Sequence, residues 1–281
     1  MTAILPTNEL AYFERLAEVE SAHWWSRGMW RLASYWLAQA LRGRCGLKAL
    51  DVGCGTGLTA ARLASRPEIG EVIGIDPSRE ALLRARRHGC HWVRGSAQDL
   101  PLASGSVDLV TCLDVFQHLL DGADATAACE IHRVLRPGGI ALLRTNAQSW
   151  LPEGTHAGKQ YRLAELIGVM EKAGLRVRRA SYANCLPAFA QELRDRASAR
   201  LRPRGAKPSN HAGLRIQVPG RLVNRMMGGV ASAEAFLAGP GGCALPFGHS
   251  TLVLAENCAF ARARQSEPTI RTEREGIRIC E

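Results

Sequence analysis

The chain has 281 residues, 46% of them hydrophobic, and a formal net charge of +10 at pH 7. That length suits one full α/β core with an elaboration better than two independent domains of average size. No stretch approaches the roughly 18 uninterrupted apolar residues of a membrane span, and Met1 to Leu10 lacks the basic-then-apolar pattern of a secretory signal, so a cytoplasmic protein is expected.

Along the chain, Asn8 to Arg42 spaces Phe13, Leu16, Val19, Trp24, Trp30, Leu32, Trp36 and Leu37 at helical intervals, which predicts two helices ahead of the core. From Leu47 the pattern turns to short apolar runs separated by helical stretches, the signature of βαβ units and a parallel sheet. The predicted strands are Lys48–Val52, Glu71–Ile75, His91–Val93, Val107–Leu113 and Gly139–Arg144, with helices near Leu58–Ser65, Ser78–His88 and Thr126–Leu135. Arg136-Pro137-Gly138-Gly139 is expected to end the last of these helices sharply. A helix over Leu163–Ala173 stops at Gly174 and feeds a strand, Leu175–Tyr182, and a final strand is expected at Ser250–Ala255. Between them, residues 184–249 read as an insertion with helical pieces at Ala188–Leu201 and Pro219–Leu237. Residues 258–281 mix charges without apolar periodicity and read as a solvated tail. Nine cysteines stand singly, with no C-x-x-C pair, and are expected to be buried, reduced thiols.

The strongest chemical signal is Asp51-Val52-Gly53-Cys54-Gly55-Thr56-Gly57, where a strand runs into G-x-G-x-G and then a helix. Glycines let a ligand approach the backbone closely and tolerate positive φ. The dinucleotide template G-x-G-x-x-G fits poorly, because Leu58 holds the last glycine's place. An acid before the loop would repel a pyrophosphate but suits an ammonium group, so Asp51 points to a cationic ligand such as S-adenosylmethionine. Asp76 closes the second strand, where an acceptor can bind both ribose hydroxyls; alternatively it caps the next helix.

Four ordered motifs carry a family resemblance: Leu50 to Gly57; Gly74-Ile75-Asp76-Pro77-Ser78; Asp99-Leu100-Pro101-Leu102 leading to Ser106-Val107-Asp108-Leu109-Val110; and Arg133-Val134-Leu135-Arg136-Pro137-Gly138-Gly139. Over about residues 49–145 the chain resembles the class I S-adenosylmethionine-dependent methyltransferases, within the small-molecule group related to ubiquinone and menaquinone methyltransferases. The resemblance implies a Rossmann-like α/β fold with a seven-stranded, mostly parallel sheet in the order 3-2-1-4-5-7-6, helices on both faces, an N-terminal helical lid over residues 1–46, and a core formed by 47–183 with 250–257. It implies that Gly53, Cys54, Gly55 and Gly57 embrace the methionine part of the cofactor, Asp76 and Pro77 the ribose side, Ser96 and Ala97 the adenine edge, and the Leu113 carbonyl the cofactor. The family commonly has an aspartate where Ser96 stands, which shifts that contact toward Gln98 or Asp99. Phe116 and His118 would line the acceptor side, with His118 as a base for a hydroxyl or amine or else as a loop-positioning residue. Glu20-x-x-His23-Trp24-Trp25-Ser26-Arg27-Gly28 resembles the segment preceding this core in many bacterial relatives; there Arg27 would meet the methionine carboxylate and Trp25 wall the acceptor, or the tryptophans simply pack the helix.

Methyl transfer from a sulfonium needs mainly alignment in a dry cleft, and no metal motif is present in the sequence. The acceptor is expected to be a small organic molecule, methylated on oxygen or nitrogen in secondary metabolism, by a monomer or homodimer. Phe189, Val218, Leu222, Met226, Met227 and Phe236 are available to wall a pocket, or to serve as core or dimer contacts. Against two acids, nine basic residues fall between Gln191 and Arg225, which keeps open an RNA or other polyanionic substrate. Sparse aromatics among those charges and the missing Asn-Pro-Pro-Tyr type of signature disfavour it. A non-catalytic scaffold is a third reading, against which the intact loop stands.

Overall fold

The computed structural model describes residues 9–148, 159–189 and 218–258. Two helices, α1 (Glu9–Ala22) and α2 (Trp24–Ala40), precede the core and are joined at His23, whose ring Nδ1 caps α2 by accepting from the Trp25 amide. The core then alternates: β1 (Leu47–Val52), α3 (Leu58–Ala64), β2 (Ile69–Asp76), α4 (Arg79–Ala85), β3 (His91–Arg94), β4 (Val107–Leu113), α5 (Ala123–Val134), β5 (Leu135–Asn146), α6 (Leu163–Lys172) and β6 (Leu175–Ala183). Helix α7 (Arg221–Ala238) and strand β7 (Ser250–Asn257) complete it. The seven strands lie in the order β3-β2-β1-β4-β5-β7-β6, with β7 antiparallel to both neighbours and the other pairs parallel. The expected fold and strand order are therefore observed.

The parallel strands read as continuous apolar runs because both sheet faces are covered. One face packs Val52, Val110 and Leu143 with Ile131 of α5 and Leu166 of α6. The other packs Ala49, Leu109 and Leu142 with Leu63 of α3, Leu32 and Trp36 of α2, and Ala235 of α7. Each fully buried large side chain contributes roughly 2 kcal/mol of transfer free energy.

The helix ends just before the four-residue breaker, as expected, but the strand starts earlier than Gly139. Helix α5 ends at Val134, but β5 begins at once, since Leu135 pairs with Val107 and Ile140 with Leu109. Arg136–Gly139 forms a bulge opposite Asp108, with Gly138 at φ +77° and the Arg136 guanidinium on the Asp108 carboxylate at 2.7 and 2.9 Å. The breaker is inside the strand rather than before it.

Helix α7, the described part of the expected insertion, runs along α2. Gly28 makes the close approach possible, because a Cβ there would sit 2.6 Å from the Ala231 Cβ. Asn224 spans the α1–α2 junction, accepting from the Trp24 amide at 2.9 Å and donating to the Ala22 carbonyl at 3.0 Å. The Trp36 indole donates to the Ala238 carbonyl at 2.7 Å, and the Arg179 guanidinium bonds the Ala238 and Gly239 carbonyls while stacking on Trp36. The helical expectation at Ala188–Leu201 lies largely outside the described residues, as do the basic positions Arg194 to Arg215 and most of the tail.

Candidate active site

The site lies at the carboxyl ends of β1, β2, β4 and β5, where an open α/β sheet binds its ligands. Strand β1 hands the chain to a loop whose Gly53, Gly55 and Gly57 stand at φ +66°, +50° and +81°. The Gly53 and Cys54 amides donate to the Ile75 carbonyl and hold the loop against β2. A Cβ at Gly53 would strike the Val115 side chain, and one at Gly57 would lie 2.8 Å from the Trp92 ring and 2.9 Å from the Ala85 Cβ. At Gly55 it would meet nothing within 4 Å among the described residues. Packing thus requires two of the glycines, while the middle one leaves the backbone open to a ligand.

Asp51 is 2% exposed. Its Oδ1 accepts from the Thr111 hydroxyl at 2.7 Å, and its Oδ2 has no hydrogen-bond partner among the described residues. Burial pushes its pKa up to about 7; the Thr111 hydroxyl opposes the shift, and the nearby Asp76 and Glu20 charges reinforce it. Asp76, 8% exposed, accepts from the Gly55 amide at 2.9 Å and the Ser78 amide at 2.8 Å. The cap of α4 is the Ser78 hydroxyl, which accepts from the Ala81 amide at 3.1 Å. Asp76 therefore ties the tip of β2 to the glycine loop, and burial raises its carboxyl above the ordinary value.

The lid reaches this loop through a residue to which the sequence reading assigned no role. Glu20 of α1 accepts from the Thr56 hydroxyl at 2.5 Å. Burial raises its carboxyl; the Thr56 bond, Arg62 and Arg144 oppose the rise, and Asp114 adds to it. Arg62 lies over the Trp30 ring at 5.5 Å. Arg144, at the end of β5, forks onto both oxygens of Asp114 and carries the Trp25 ring 4.8 Å away. Asp114 has φ +62°, and its amide donates to the Arg144 carbonyl at 2.8 Å. The available signal was a charged residue ending the apolar run Ile140-Ala141-Leu142-Leu143. Trp25 is half-buried against this pair, whereas Arg27 is exposed.

On the acceptor side Leu113 is half-buried and Phe116–His118 forms a short 3-10 helix. Phe116, expected to face the acceptor, instead buries its ring in the core at 1% exposure, 6.4 Å from the Tyr161 ring. His118 is exposed, and the Gln117 side chain beside it accepts from the Asn146 amide at 3.1 Å. On the adenine side Ser96 and Gln98 are exposed on a turn, where the Ser96 hydroxyl accepts from the Gln98 amide, and Ala97 is buried; Pro77 is exposed at the β2 tip. The motif around Leu100 is structural: Arg133 donates to the Leu100 and Leu102 carbonyls while Glu130 accepts from the Leu100 amide.

Of the expected buried cysteines only Cys54 and Cys112 are buried among the described residues; Cys45, Cys129 and Cys243 are exposed. Burial raises the Cys54 and Cys112 thiols, which keeps them protonated. Leu222, Met226 and Phe236 are exposed on α7, and Phe189 is exposed as well.

The fold and the site, a Rossmann-like sheet with an acid-flanked glycine loop and no dinucleotide spacing, define a nucleoside-cofactor enzyme. Residues 50–143 match the family model described as a methyltransferase domain. The chain is 30% identical over 202 residues to the ubiquinone biosynthesis O-methyltransferase of Cronobacter sakazakii, covering 60% of this chain and 80% of that one. It is 31% identical over 205 residues to the enzyme of the same name from Pseudomonas aeruginosa, covering 60% and 83%. Among solved structures, the protein bound to the Haloferax volcanii Trm112 methyltransferase activator superposes with a TM-score of 0.55 at 19% identity, over 91% of this chain and 99% of that one. The [4+2]-cyclase SpnF gives 0.50 at 20% identity, over 79% and 78%. These two likenesses concern the fold alone. The chain belongs to the class I S-adenosylmethionine-dependent methyltransferases. It is an enzyme, and its methyl donor is S-adenosylmethionine. The residues present fit that donor: among the described residues Asp51 offers a buried oxygen without a partner to a cation, and Gly55 leaves room at the backbone. No helix among the described residues is long and apolar enough to cross a membrane.

Proposed function

We propose that the enzyme methylates a hydroxyl oxygen of a small organic acceptor by in-line displacement. The observation that carries this reading is the similarity to ubiquinone biosynthesis O-methyltransferases over most of their length. In it, Asp51 faces the donor's ammonium group, Gly53, Cys54, Gly55 and Gly57 receive its methionine part, Asp76 and Pro77 its ribose, and Ser96, Ala97 and Gln98 its adenine, with Leu113 beneath. Bound S-adenosylmethionine supplies an electrophilic methyl group on a sulfonium. The chain's own work is to align the acceptor and exclude water, which accounts for several kcal/mol of a typical barrier reduction, on the order of 7–11 when alignment is complete. Trp25, held by Arg144, walls the acceptor side, and Arg27 meets the donor's carboxylate at the lid. His118, exposed on the short helix after β4, takes the proton from the acceptor hydroxyl.

The test is S-adenosylhomocysteine release across a panel of catechols, phenols, amines and transfer RNA. Release with hydroxylated aromatics alone is expected; release only with amines or RNA overturns the reading. His118→Ala should lower kcat about a hundredfold with little change in cofactor affinity. Unchanged turnover in that variant assigns His118 to loop positioning instead.

A further inference from the structure

We propose that the groove between α4 and the edge strand β3 is a second binding site, separate from the donor cleft, for a phosphorylated small molecule with a planar apolar body. Arg79, Leu82 and Leu83 of α4 and Arg86 at its end form one wall, and Trp92 and Arg94 of β3 form the other. The helical residues follow i, i+3, i+4, i+7 spacing, so they share one face. Among the described residues no acidic side chain lines the groove, and neither Arg79 nor Arg86 forms an ion pair. The neighbouring Arg87 is already taken by Glu14 at 2.9 Å, and the one acid nearby on α4, Glu80, accepts from the Ser78 hydroxyl. Arg94 donates through Nε to the Pro77 carbonyl at 3.0 Å, which fixes its position and leaves its terminal nitrogens for a ligand.

Three guanidinium groups without an opposing carboxylate leave an uncompensated positive field in one concave place. Their planar, multiple donors match phosphate oxygens better than a single carboxylate does. Between them, the Trp92 indole with Leu82 and Leu83 presents an apolar, stackable surface, which calls for a planar body attached to the phosphate. The groove is separate from the donor cleft, but one residue links them. The Trp92 ring fills the space that a Cβ would need at Gly57 and at Gly74, so the ring that lines the groove also supports the glycine loop. A ligand that shifts the indole moves the loop, and the two sites are coupled.

The experiment is isothermal titration of the full chain with 1-naphthyl phosphate, with 1-naphthol and inorganic phosphate as partial probes, each with and without S-adenosylmethionine. Three proteins are compared: wild type, Arg79→Ser/Arg86→Ser, and Arg42→Ser/Arg176→Ser, which removes the same charge from exposed positions elsewhere. The ester should bind wild type and the charge-matched control equally, at least about tenfold more weakly to the groove variant, and more tightly than either partial probe. Saturating ester should change the S-adenosylmethionine Kd of wild type at least about threefold and leave that of the groove variant unchanged. Absent ester binding, binding undiminished in the groove variant, or equal loss in the charge-matched control overturns the site. An unmoved cofactor Kd overturns the coupling. Failure of the cofactor itself to bind wild type would count against the methyltransferase site and leave the ester measurement intact.

Discussion

Three glycines of one loop share a positive φ, at +66°, +50° and +81°, yet a methyl group at each would meet different surroundings. Gly57→Ala forces a Cβ into Trp92 and Ala85, so it should destabilise the fold by about 2–3 kcal/mol, read as a lowered denaturant midpoint. Gly55→Ala meets open space and should cost only about 1 kcal/mol for its backbone angle, while weakening S-adenosylmethionine in calorimetry. Equal loss of stability in the two variants would contradict this division. Asp51 allows a pH argument with a definite sign. Its folded pKa, about 7, lies above the ordinary carboxylate value, so its contribution to stability is complete below the unfolded pKa and is lost as pH rises through about 7. The donor's ammonium group favours the ionised form and recovers that loss. Saturating S-adenosylmethionine should therefore raise Tm more near about pH 8 than near about pH 6, and Asp51→Asn should abolish the difference.

The lid helices combine an apolar face for packing with one polar contact to the loop. The apolar face was legible, since Trp30, Leu32, Trp36 and Leu37 recur at helical spacing and Leu32, Trp36 and Leu37 are buried. The Glu20–Thr56 contact was not, because nothing in local spacing relates a glutamate on the first helix to a hydroxyl 36 positions later. Thr56→Val should leave the half-buried Glu20 without its donor and cost about 1–3 kcal/mol of lid closure. Hydrogen exchange should then accelerate in α1 while the amides of β4 and β5 keep their protection; unchanged α1 exchange would show that apolar packing alone closes the lid. The Asp114–Arg144 pair was missed for a related reason. Asp114 follows β4 directly and Arg144 lies near the carboxyl end of β5, and only the register that sets Leu113 beside Arg144 makes them neighbours.

Across the whole molecule, the 184–249 insertion, whose apolar residues were available to wall a pocket, contributes at least one helix that supports the lid. Glu234 of α7, 5% exposed, accepts from the Cys185 and Leu186 amides at the end of β6, while Asn224 spans the lid junction. Burial raises the Glu234 carboxyl, and those amides oppose the shift. Glu234→Ala should leave two backbone donors without their acceptor and lower stability by roughly 2–4 kcal/mol in denaturant titration. A change under about 0.5 kcal/mol would indicate that water replaces the carboxylate.

Local pattern determined the alternation of strands and helices, the glycine loop and its flanking acids, because continuous apolar runs, helical periodicity and G-x-G-x-G each reflect the chemistry of neighbouring residues. The same pattern placed the start of β5 too late, because Leu135 already pairs with Val107 ahead of the turn residues, and it misjudged Phe116, whose ring packs inward against Tyr161. Only the tertiary structure decided which glycine stays open, which oxygen of Asp51 lacks a partner among the described residues, and that Glu20, Arg62, Asp114 and Arg144 stand close to one another. Those relations join residues from separate elements, and their distances are set by sheet register and helix packing.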